Sequence, residues 1–120
     1  MTSKEKALLA AEAASDKKGR DIRVLDLREM GAFTDFFVIA SGTSDRHVRA
    51  VADSVLEALR ERGERPLGSE GERVGRWILL DLEDVVVHVF QPDVREFYDL
   101  ERLWGEAEPV ALPQAAGSRA

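Results

Sequence analysis

Residues 34–48 read TDFFVIASGTSDRHV, an apolar block that runs into Gly42-Thr43-Ser44-Asp45 and then into a charged, periodic segment. Asp35 to Ala40 (DFFVIA) has the near-continuous apolar character of a buried strand. From Asp45 to Arg62, Val48, Val51, Ala52, Val55, Leu56 and Leu59 recur at helical spacing, and Gly63 follows as a natural stop. A glycine-containing turn between strand and helix can cradle a phosphate, because the first N–H groups of the helix are free and its dipole is positive there. Ser44 or Thr43 is equally a sound N-cap, and Asp45 suits the same dipole with no ligand. The Walker and GxGxxG patterns are absent and Asp45 would repel a phosphate, so capping is the favoured reading.

Working outward, Thr2 and Glu5 have capping-box spacing, and Ala7, Leu8, Ala11 and Ala14 recur on one face until Gly19 can end a first helix. Asp21 to Leu27 (DIRVLDL) suits a strand buried partly on both faces. Residues 60–76 hold four glycines, a proline and no sustained period, which predicts a mobile loop with at most a short strand near Pro66-Leu67. Arg76 to Leu82 and Val85 to Gln91 flank Glu83-Asp84 and read as a tight hairpin. A last helix follows Pro92, with Asp93 as cap, Glu96 three residues on, and Val94, Phe97, Leu100, Leu103 and Trp104 along one side. The fold class expected is α/β: a single domain, residues 1–104, with a mixed sheet flanked by helices. Residues 105–120, rich in Ala, Pro, Gly and Ser, are expected to be a disordered tail.

A chain of 120 residues, 44% hydrophobic and 33% charged, supports one small soluble domain with one core. It has no cysteine, so disulfides and thiolate metal sites are excluded and a reducing cytoplasm is the default compartment. No apolar run approaches a membrane span, and the N-terminal segment, with Glu5, Glu12 and Asp16 among its lysines, reads as neither signal nor transit peptide. The net charge of -6 argues against broad contact with a nucleic-acid backbone and favours a basic protein or a small molecule.

Catalytic chemistry finds little footing. A nucleotidyltransferase needs carboxylates at alternate strand positions to hold magnesium. The nearest acids are Asp81, Glu83 and Asp84, but Glu83 is wanted by the hairpin turn and no third carboxylate is evident. His47 and His88, the only histidines, have no HxxxH or HExxH partner. His47 reads as a surface residue. No metal or other cofactor is expected.

The hairpin is more informative. With Leu82 and Val85 flanking the turn, Leu80 faces Val87 and Ile78 faces Val89, which makes one side of the ribbon core. The other side pairs Asp81 with Val86, Leu79 with His88 and Trp77 with Phe90, and is far more apolar than a solvated face should be. Two readings stay open. Either the last helix, with Phe97 and Trp104, covers this face, or it is an exposed protein-binding patch anchored by Trp77 and extended by Tyr98.

Four segments in order, TDFFVIASGTSDRHVRAVAD (34–53), GSEGE (68–72) followed by Trp77, DLEDVVVHVF (81–90) and REFYDLERLW (95–104), resemble the ribosomal silencing factor family, also called the Iojap family. The resemblance covers roughly residues 4–104. It implies a non-enzymatic repressor that binds the large ribosomal subunit through its ribosomal protein fourteen, blocks joining of the small subunit and lowers translation when nutrients are scarce. It also implies a nucleotidyltransferase-like fold without the catalytic carboxylates, and a homodimer in the free protein. The family's tryptophan matches Trp77, and its DVVVHVF strand and following tyrosine match Asp84 to Phe90 and Tyr98. The expected protein-binding residues are therefore Trp77, Leu79, Asp81, Val86, His88, Phe90 and Tyr98, in a cytoplasmic protein with little direct nucleic-acid contact. The alternative is a nucleotidyltransferase-like nucleotide binder using Gly42 to Asp45.

Overall fold

The capping box forms as read. Thr2 Oγ1 accepts the Glu5 N–H at 3.0 Å and the Glu5 carboxylate accepts the Thr2 N–H at 2.8 Å, which starts α1 (Ser3–Asp16). In this computed structural model, which describes residues 1–112, β1 (Arg20–Asp26) and β2 (Phe36–Ser41) follow, then α2 (Asp45–Arg60), β3 (Gly68–Glu70), β4 (Trp77–Asp81), β5 (Val85–Phe90), α3 (Pro92–Tyr98), α4 (Leu100–Leu103) and β6 (Glu108–Pro109). The left-handed residue that ends α1 is Lys18 (φ 62°) rather than Gly19. Gly19 is instead the next position of a Schellman turn: its N–H reaches Ala14 O at 2.9 Å, and a Cβ there would fall 2.8 Å from that oxygen.

The strands make one six-stranded sheet in the order β3-β4-β5-β2-β1-β6. Only β2 and β5 run parallel and the other neighbours are antiparallel, so the sheet is mixed. The short strand lies at Gly68–Glu70 rather than Pro66-Leu67, because Pro66 has no N–H to give the ladder and the first bond comes from Leu67 N to Asp81 O. Every residue of β2 and β5 is buried. One face of the sheet, with Val24, Phe36, Val38, Ile78, Leu80, Val85, Val87 and Val89, packs under α1 and α2. The small buried side chains of α1 (Ala7, Ala10, Ala11, Ala14) let that helix lie close to the strands, while α2 contributes Val48, Val51, Val55 and Leu59.

The second face carries Leu25, Phe37, Ile39, Val86, His88 and Phe90, covered by Met30, Ala32, Leu100, Trp104 and Ala107. Two expectations change here. The last helix is not continuous: Asp99 adopts φ 47° and splits it, so Val94, Leu100 and Trp104 pack inward while Phe97 (79% exposed) and Leu103 (72%) face out. The break is held by buried Arg95, whose guanidinium donates to Ser41 Oγ at 2.7 Å, Asp21 O at 2.7 Å and Glu101 at 2.8 Å, bonds that need the chain to fold back. Asp93 is not the cap either; Gln91 occupies that position without a side-chain capping bond, and Pro92 starts the helix with its fixed φ.

The second change concerns the tail. Residues 105–112, expected to be disordered, return to the sheet: β6 pairs with β1, Val110 N–H reaches Val24 O at 2.8 Å, and Ala107 is buried. The open ladder edge of β1 is what they satisfy. The ordered domain thus runs past residue 104, and the rest of the expected tail, 113–120, lies outside the described residues.

Two stability predictions follow from buried polar groups. Lys6 is 7% exposed, with Nζ 2.7 Å from Asp84 and 2.9 Å from Glu64, tying α1 to the hairpin turn and to the loop after α2. Lys6→Ala leaves both carboxylates without that partner and should cost about 2 kcal/mol in urea unfolding; an unchanged midpoint would refute the tie. His88 is 4% exposed, and burial pushes its pKa from 6.5 down to about 4. As pH falls, the unfolded chain takes up that proton first, so His88's contribution is full above pH 6.5 and is lost progressively towards about 4. The loss should be on the order of 3 kcal/mol, and His88→Leu should flatten that part of the urea-midpoint profile.

Candidate protein-binding face

The β4–β5 hairpin has the register read from the sequence, with Trp77 opposite Phe90, Leu79 opposite His88 and Asp81 opposite Val86. Leu82 N–H closes the turn onto Val85 O at 2.9 Å. Glu83 sits at φ 75°, and the Asp81 carboxylate accepts its N–H at 2.9 Å, which steadies a turn that lacks the usual glycine.

The structure divides the expected site residues into two sets. Val86, His88 and Phe90 are 3%, 4% and 1% exposed, so they cannot touch a partner and instead form a floor. They belong to β5, whose edges pair with β2 and β4 and whose alternating side chains are buried on both faces of the sheet. Trp77, Leu79 and Asp81 on β4 are partly exposed, and Tyr98 is exposed. The segment that closes the second face over β2 and β1 leaves this β4 side open. On the β3 side, Glu70 stands opposite Leu79 and so shares that open face, placing a second acid beside Asp81.

Between the β3–β4 connection and α3 lies a groove of about 550 Å³, lined by Val74, Arg76, Trp77, Val94, Phe97 and Tyr98 among others. The Trp77 ring packs at 4.8 Å from both Phe90 and Tyr98, and Phe97 meets Tyr98 edge-on at 5.0 Å. An Arg76–Asp93 ion pair of 2.8 Å bridges the strand and the helix at the rim. There Arg76 holds the Asp93 carboxyl below its usual pKa. Gly71, the second glycine of GSEGE, lets the connection approach: it adopts φ 90°, and a Cβ would lie 1.9 Å from Trp77 O. Sequence reasoning missed Phe97 and Val74 as exposed groove residues. Asp99, of a residue type that tolerates the left-handed region, was the available sign that the apolar stripe breaks.

Indole Nε1 of Trp77 points inward and donates to His88 Nδ1 at 3.2 Å. The imidazole lies 4.7 Å from the Phe37 ring, edge-on, and stacks on Phe90 at 5.9 Å. The floor beneath the groove is therefore a continuous aromatic cluster, extended by Trp104 at 5.9 Å from Phe37.

The Gly42–Asp45 turn is built differently from a phosphate cradle. Gly42 N–H bonds Phe90 O at 2.8 Å, Thr43 N–H bonds His47 Nδ1 at 2.8 Å, and His47 N–H bonds Ser44 Oγ at 3.1 Å. His47, expected to be a plain surface residue, is half-buried; its Nε2 donates to Lys17 O at 2.8 Å and links the end of α1 to the start of α2. The amides of Gly42, Thr43 and His47 thus have internal acceptors, and Ser44 is the helix cap as read. Of the three acids considered for metal, Asp81 serves the turn and Asp84 pairs with Lys6.

The profile of the family described as "ribosomal silencing factor during starvation" matches residues 1–120. A ribosomal silencing factor from Chromobacterium violaceum is 45% identical over 116 residues, covering 97% of this chain and 95% of its own length. Another from Bacillus subtilis is 42% identical over 111 residues, covering 92% and 93%. A crystal structure of a Chromobacterium violaceum protein superposes with a TM-score of 0.85 at 43% identity, covering 95% of this chain and 98% of that one. On this agreement of sequence and fold, the chain belongs to the ribosomal silencing factor (Iojap) family.

Proposed function

We propose that this protein is a non-enzymatic repressor of translation that binds the large ribosomal subunit through its ribosomal protein fourteen and blocks joining of the small subunit by occupying that surface. The observation that carries the reading is the open β4 side of the second face, where Trp77, Leu79, Tyr98 and Phe97 lie exposed or partly exposed beside Asp81 and Glu70. Aromatic anchors with Asp81 and Glu70 on the adjoining sheet face suit a basic protein partner, and a net charge of -6 disfavours bare RNA. Val86, His88 and Phe90 act beneath this surface. No helix among the described residues is long and apolar enough to cross a membrane, and the proposed site of action is the cytoplasm. In the free protein the same apolar face would pair with a second copy.

The nucleotidyltransferase-like reading of the fold enters only as architecture, since the bonds at Thr43, His47 and Ser44 support a cap rather than a nucleotide site.

Trp77→Ala should weaken pull-down of the purified ribosomal protein at least about tenfold, corresponding to a lost anchor of about 2 kcal/mol. Phe97→Ala, at a 79% exposed position, should weaken it with no change in melting temperature. Unchanged capture by both variants would sink the assignment of the face. ATP or GTP with magnesium should leave the melting temperature where it was; a concentration-dependent rise would revive the nucleotide-binding alternative.

A further inference from the structure

Trp77 belongs both to the groove and to the buried aromatic floor. An indole N–H can only donate, so the His88 nitrogen facing it at 3.2 Å must present a lone pair. His88 is therefore neutral, with its proton on Nε2. That Nε2 is buried and has no hydrogen-bond partner among the described residues. Leaving a polar group buried and unmatched is unfavourable, and a leucine at this place would avoid it. The bond from Trp77 is the compensating feature of a histidine here.

We propose that His88 is a positioning residue for the partner-binding face: by accepting the indole N–H from below, it fixes the Trp77 ring so that the groove is offered an apolar aromatic surface without a free donor. The inference rests on the reading of Trp77 as the partner's anchor point. It also narrows the partner's chemistry. The complementary group at Trp77 is an aliphatic or aromatic side chain, or a cation over the ring, rather than a carbonyl oxygen seeking the N–H.

The full chain, its Trp77 indole resonance assigned with Trp77→Phe, allows a direct test by hydrogen exchange of that indole proton and by binding to purified large ribosomal subunits. In the wild type the proton should be protected. His88→Leu, which keeps the floor apolar, should exchange it about tenfold faster and weaken subunit binding about fivefold, the equivalent of one neutral hydrogen bond. His88→Asn, whose side-chain oxygen can stand where Nδ1 stood, should recover both. Equal exchange in wild type and His88→Leu would overturn the proposal, as would full-strength binding by His88→Leu when Trp77→Ala binds weakly. Should Trp77→Ala bind normally, the partner reading fails separately, and the exchange comparison alone then upholds or overturns the positioning role.

Discussion

The parallel pairing of β2 with β5 is the constraint on which the rest of this molecule depends. Six successive pairs, from Phe36 with Val85 to Ser41 with Phe90, place two fully buried strands side by side at the middle of the sheet. Parallel neighbours cannot be joined by a tight turn, and here the crossover between them carries α2, β3 and β4. Since both strands are apolar on both sides, each face of the sheet needs a cover. Two helices supply the first, and the chain after residue 91, with Met30 and Ala32, supplies part of the second. The incompleteness of that second cover produces the open aromatic face.

Where periodicity and local chemistry agree, the sequence could be read nearly to the residue. The capping box at Thr2, the Ser44 cap and the hairpin register from Trp77 to Phe90 all rest on short-range rules that the fold respects. What could not be read depended on distant partners. Nothing local to REFYDLERLW announces that Arg95 will find Ser41 and Asp21, more than fifty residues away, and so break the helix. Likewise, Glu108-Pro109 has no strand-like pattern; it is ordered because β1 leaves an edge to be paired.

The candidate site divides along the same line. Register alone assigned Trp77, Leu79, Asp81, Val86, His88 and Phe90 to one face, and that is where they lie. Which of them stay accessible is a question of coverage, decided by chain that arrives later: β5 is roofed and β4 is not. Phe97 shares the stripe of Val94, Leu100 and Trp104 only while the last helix is unbroken, and the break at Asp99 leaves it outward.

The break at Asp99 has a further consequence for how this protein can vary. Left-handed Asp99 separates Phe97 and Tyr98, which face outward, from Leu100 and Trp104, which pack inward, so one residue divides an apolar segment between the exposed surface and the core. A change that straightened the segment would rotate the outer aromatics towards the sheet while drawing the inner ones out of it. If the outer face binds the partner as proposed, affinity and stability share a mechanical element, and selection acting on either would constrain the same few residues around Arg95 and Asp99.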